Sequence, residues 1–232
     1  MAEKAKILIV STAHAELGST GDGTGVWFEE LTTPYYAFRD AGHPVDIVTI
    51  GGGKIPIDPK SYDPKGTNPA SVERFLKDDS AMAQFGASGV LAKVGLDDYG
   101  AIFVPGGHGA MWDLGSDPAV GEALTLGWAK GLILSSVCHG PSCFVNAKET
   151  DGRPLVAGKK VNSFSDSEER EMKLEKVVPF LLESKLRELG AIYEKGPDFG
   201  PHAVRDGRLV TGQNPASAEP VASLVIAALK GE

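Results

Sequence analysis

The stretch Leu132-Ile133-Leu134-Ser135-Ser136-Val137-Cys138-His139-Gly140-Pro141 decides the fold. Its first six residues read as a buried strand, and Pro141 suits the first turn of a following helix, where a missing N–H is no loss. Three more apolar runs, Lys6–Val10, Val45–Ile50 and Ala101–Pro105, carry the same β signal and end in Gly, Pro or polar clusters. Helical patterns over Val26–Ala41 and Ala119–Lys130 lie between them. This β–α–β order predicts an α/β fold: a doubly wound, mostly parallel sheet with helices on both faces.

Working outward, Gly51–Leu96 is too long for a simple connection and reads as an elaboration of one domain spanning residues 1–232. Within it, Ser71–Ser80 reads as a helix capped by Ser71, with Glu73 and Arg74 facing water. Glu168–Leu189 gives a long amphipathic pattern on which Pro179 predicts a break or kink and Gly190 a stop. Ala203–Thr211 reads as a hairpin turning at Asp206-Gly207, and a last helix is expected from about Ala216 to Lys230.

The chain has 232 residues, 42% hydrophobic and 23% charged, enough for a core that needs no staples. Its 31 acidic and 23 basic residues give a net charge of −8, so a phosphate backbone is repelled on average and no nucleic-acid partner is expected. Met1–Lys6 runs into the first strand without an apolar leader core, and no stretch approaches the ~20 apolar residues of a membrane span. The two cysteines, Cys138 and Cys143, lie too close together for a stabilising loop and suit a reducing cytoplasm.

Cys138 stands where the strand ends, with small residues two positions to either side, the pattern of a sharp nucleophile elbow. At a helix N-terminus the dipole would favour its thiolate. The plain alternative is a buried cysteine at a strand end. Cys143 reads as a thiol packed in the next helix. His14, His43 and His202 are scattered, and Trp27, Trp112 and Trp128 read as core or subunit-interface aromatics. Gly21-Asp22-Gly23-Thr24-Gly25 lacks dinucleotide spacing, and no phosphate loop or zinc-binding His pair occurs, so neither a cofactor nor a metal is expected.

The run Val137-Cys138-His139-Gly140-Pro141, with Val104-Pro105-Gly106-Gly107-His108-Gly109 upstream, resembles the ThiJ/PfpI superfamily, relatives of class I glutamine amidotransferases. Gly25-Val26-Trp27-Phe28-Glu29-Glu30 with Pro34, Gly158–Glu169 and Asp206–Ser217 narrow the likeness to glutathione-independent glyoxalase III enzymes, a class that includes stress-inducible chaperones. The resemblance spans nearly the whole chain. It implies a flavodoxin-like fold, a homodimer, and conversion of methylglyoxal or similar 2-oxoaldehydes to lactate through a cysteine hemithioacetal. It also admits a holdase chaperone, or a cysteine hydrolase of the peptidase or deglycase kind. Amidotransferase activity is disfavoured because no His-x-Glu follows Cys138.

Carried onto this chain, the resemblance places Glu30 against Cys138, whereas a lone helical Glu is ordinarily a solvated charge. Glu29 points about 100° away round the helix. The resemblance makes His139 the partner of Cys138 and Glu169 the carboxylate that orients it, with Glu168 as the competitor among four neighbouring acids. Gly106 and Gly107 let backbone N–H groups approach a ligand, and the Gly107 and His139 N–H groups would bracket an oxyanion. His108 either lines the pocket or sits on an exposed loop.

Overall fold

The computed structural model describes residues 5–232, and the leader reading on Met1–Lys4 lies outside them. In chain order the elements are β1 (Lys6–Val10), α1 (Phe28–Asp40), β2 (Val45–Thr49), α2 (Ala70–Phe75), α3 (Asp79–Gly86), β3 (Gly89–Val90), β4 (Tyr99–Val104), α4 (Pro118–Ala129) and β5 (Ile133–Val137). They continue as β6 (Lys160–Val161), α5 (Asp166–Glu171), α6 (Leu182–Glu188), β7 (Ile192–Tyr193), β8 (Ala203–Asp206), β9 (Leu209–Gly212) and α7 (Ala218–Leu229).

Seven strands form one sheet in the order β3-β2-β1-β4-β5-β9-β8, parallel throughout except for β8, which turns back on β9 as a hairpin. A separate two-stranded pair joins β6 to β7. Alternation along the strands feeds two cores: Ile7, Ile9 and Phe103 face α1 and α7, while Leu8, Val10 and Ile102 face α4 and its neighbours. Both faces are therefore covered, which is why the strands read as continuous apolar runs. The polar residues of β5 are satisfied by β4: Ser135 Oγ donates to the Ile102 carbonyl (3.0 Å) and Ser136 Oγ to that of Val104 (2.9 Å). The chain leaves β1 toward β2 on one side and β4 toward β5 on the other. The resulting crevice lies at the carboxyl ends of the strands, the usual ligand position in such sheets.

The elaboration is tied to α1. Ser61 Oγ accepts the Phe28 N–H (3.0 Å), supplying a cap that Trp27 does not. Phe28 also packs against Tyr62, Phe75 and Phe85 at ring distances of 5.3–5.9 Å. Two expectations need correction. Ser71–Ser80 is not one helix: α2 starts after Pro69, Asp78 caps α3, and Ser71 instead hydrogen-bonds Thr32 and Thr33, while Glu73 is half-buried and takes an Asn68 N–H. Glu168–Leu189 is not one kinked helix, because α5 stops at Glu171, Lys173 turns left-handed at φ 60°, and α6 begins only after Pro179. Trp112, stacked on His14, and Trp128, under Arg208, are partly buried and pack against the second core, while Trp27 lines the pocket.

Because Phe75 is fully buried at the joint between α1 and the elaboration, Phe75→Ala should cost ~3–5 kcal/mol. Urea unfolding measures this, with Leu126→Ala, 49% exposed, as the nearly silent control.

Candidate active site

Cys138 follows β5 directly and adopts φ 61°, one of three non-glycine positive values among the described residues. Its N–H donates to the Gly212 carbonyl at the end of β9 (2.9 Å), and its carbonyl accepts the Phe164 N–H (2.7 Å). The elbow is thus held from two sides. A Cβ at Gly140 would strike the Val104 carbonyl, so only glycine lets the chain turn there. Beyond it Gly140–Val145 forms a short 3-10 turn, not the expected α-helix, and Cys143 is buried in it.

The sharp turn brings the His139 imidazole back to Cys138, with Nδ1 3.3 Å from Sγ. Its Nε2 lies 2.7 Å from Glu169 Oε2. A carboxylate there takes an Nε2–H, which leaves Nδ1 as the acceptor facing the thiol. His108, buried on the turn after Gly107 and not on an exposed loop, places its Nε2 2.9 Å from the other Glu169 oxygen. The His139 ring packs against those of His108 (4.0 Å) and Phe164 (4.4 Å). Glu168 points elsewhere: it closes the capping box of α5 with Ser165 and accepts the Phe199 N–H (2.7 Å) and the Asn214 amide (2.8 Å). Donor atoms of His108, His139 and Glu169 lie within 4.8 Å of one another, a spacing that could hold a cation, but the imidazole–carboxylate hydrogen bonds use these same atoms.

Glu30 is completely buried on the first turn of α1 beside Cys138; its Oε2 accepts the Gly106 N–H (2.8 Å), while its Oε1 has no hydrogen-bond partner among the described residues. The expectation that Gly106 helps form an oxyanion hole is therefore corrected: its N–H is already spent on Glu30. Its lack of a side chain serves clearance, since a Cβ would meet His139 N and Val137 O at 2.7 Å and Glu30 Oε2 at 2.8 Å. Gly107, at φ 95°, turns its N–H toward the cysteine instead.

Burial pushes the Glu30 carboxyl up to about 8, so it carries a proton at neutral pH. Burial also pushes the Cys138 thiol well up, and the adjoining Glu30 carboxyl pushes it further. The expectation of a resting thiolate favoured by a helix dipole is corrected: the 3-10 turn is short, and desolvation of the buried sulfur outweighs it. Burial, with His108 beside it, lowers His139, which stays neutral. For Glu169 burial alone would raise the carboxyl, but the two histidines outweigh it and hold the group well below the ordinary carboxylate range.

The pocket beside Cys138 encloses about 160 Å³. Its walls include Trp27, Phe164, Met172, Phe199 and Pro215, none of which was singled out from sequence as a pocket residue. They come from separate segments, and only the fold juxtaposes them.

The family model for DJ-1/PfpI proteins matches residues 24–228. The chain is 33% identical to the Saccharomyces cerevisiae protein named glutathione-independent glyoxalase HSP31, over 99% of this chain and 100% of that one. Its fold is similar to the X-ray structure of Francisella tularensis Rapid Encystment Protein 24 KDa (REP24), with a TM-score of 0.92 and 35% identity over 97% and 99% of the two chains. The crystal structure of glyoxalase III from Candida albicans matches with a TM-score of 0.84 and 28% identity over 97% and 98%.

The Glu30 shift carries a sign. The unfolded chain loses this proton once pH passes the ordinary carboxylate range, whereas the folded protein retains it until about pH 8, so stability falls as pH rises through that window, by at most ~1.4 kcal/mol per pH unit. Chemical denaturation of wild type and Glu30→Gln should show the variant gaining relative stability from pH 5 to 8; a constant difference contradicts the assignment.

Proposed function

We propose, because the chain belongs to the DJ-1/PfpI family and sets a thiol, an imidazole and a carboxylate in hydrogen-bonded series beside a neutral carboxyl, that it is a glutathione-independent glyoxalase III. The observation that carries this reading is the placement of two proton carriers, His139 and Glu30, against one sulfur in a small apolar pocket. The names of the relatives support the substrate class, a 2-oxoaldehyde such as methylglyoxal.

Cys138 Sγ attacks the aldehyde carbon while His139 Nδ1 takes the thiol proton, so the nucleophile is generated as the bond forms. The Gly107 and His139 N–H groups receive the oxyanion, which recovers the proton to give a hemithioacetal. Neutral His139 then removes the hydrogen from that carbon while the Glu30 carboxyl protonates the neighbouring carbonyl oxygen, forming an enediol. Return of the His139 proton to the second carbon, and of the first hydroxyl proton to Glu30, yields a thioester. Water cleaves it to lactate and the free thiol. One carbon is oxidised as its neighbour is reduced, so the electrons balance within the substrate. Glu169 keeps His139 in the tautomer that accepts at Nδ1.

Lactate formation from methylglyoxal tests this directly. Cys138→Ala should give none above background, and Glu169→Gln should lower kcat by ~10²–10⁴-fold. A wild-type chain that makes no lactate overturns the reading. Because Glu30 must be protonated, kcat should fall as pH rises through about 8, and this limb should be missing in Glu30→Gln.

A further inference from the structure

The pocket concentrates its chemistry at one end and is otherwise hydrocarbon. Beyond Cys138, His139 and His108, the lining holds no acid, amide, lysine or arginine side chain. A polar or charged substituent would lose its hydration there without gaining a partner. At about 160 Å³ the space matches apolar cavities that admit a benzene ring, and it exceeds what the methyl of methylglyoxal fills.

Phe199 is the unusual wall residue. Its backbone is left-handed at φ 57°, an outlier for a bulky side chain, and the residue is 45% exposed. Glu168, buried and held by Ser165 and Asn214, fixes the Phe199 N–H at 2.7 Å. The ring stands edge-on to Phe164 at 6.1 Å. Strain of this kind persists only where the surroundings over-determine it, and a half-exposed residue adds little to a core. Cys138 is the other strained residue of this pocket.

The geometry points to Phe199, with Trp27, as the wall that sets specificity for 2-oxoaldehydes whose ketone carbon bears an apolar group larger than methyl, an aryl or branched alkyl chain. This rests on the glyoxalase reading and names the substrate within it. The substituent buries against the two rings while the aldehyde carbon meets Cys138. Phe199 touches substrate away from the reacting atoms, so its effect falls on binding.

The test compares kcat and KM for methylglyoxal and phenylglyoxal, following lactate and mandelate, in wild type, Phe199→Ala, Phe199→Gly and Phe199→Tyr. Glycine accepts the left-handed backbone without strain, which guards against misfolding as the explanation. Wild type should favour phenylglyoxal by about tenfold or more in kcat/KM, the Ala and Gly variants should shrink that ratio to within about threefold through a rise in KM for phenylglyoxal, and Tyr should keep it. A wild-type ratio of one or less, or a ratio unchanged in Ala and Gly, overturns the specificity role while lactate formation leaves the glyoxalase reading standing. Turnover of neither aldehyde overturns both.

Discussion

Cys138 occupies a backbone conformation that costs a side-chain-bearing residue of order 1–3 kcal/mol, and two main-chain hydrogen bonds hold it there. One comes from the end of β9, the other from the segment that leads into α5. Without them the chain would continue as regular strand, and consecutive side chains would point to opposite faces of the sheet. Cys138 and His139 could then never meet. The parallel sheet thus supplies more than a platform: its last hydrogen bonds impose the turn that places a sulfur and an imidazole 3.3 Å apart.

The second constraint is dryness. Desolvation raises both Glu30 and Cys138, and it lowers His139. All three shifts favour the uncharged form, so the resting site holds a thiol, a carboxylic acid and a neutral imidazole, with Glu169 as the charged member, paired to two histidines. Such a site does not store a reactive thiolate exposed to adventitious electrophiles. It moves protons over short hydrogen bonds when a substrate arrives.

Much of this was legible in the amino-acid sequence. The span Lys6–Val10 is β1 as read, the other three runs are strands to within two residues, and the elbow at Cys138 is marked by its small neighbours. What failed did so for identifiable reasons. A helical period survives through Glu168–Leu189 because apolar residues packed from a loop can share that spacing, while Lys173 and Pro179 interrupt the backbone. β3, β6 and β7 are too short for periodicity to register. Glu168 and Glu169 look alike in a run of acids, yet Ser165-Asp166-Ser167-Glu168 carries a capping-box pattern that assigns Glu168 to the helix start and leaves its neighbour for His139. Gly106 was misread because glycine after a strand signals close approach without saying what approaches; here it is the protein's own carboxyl.

Ser61, which takes the first N–H of α1, belongs to the elaboration, and the residue it holds, Phe28, lies two positions before the buried acid. That insertion therefore acts as a splint on Glu30. Drift in its length or packing would tilt the helix end and change how deeply the acid is sunk, retuning when it gives up its proton while the sulfur and imidazole stay untouched. Relatives could diverge in their working acidity through a surface segment far from the nucleophile's own strand.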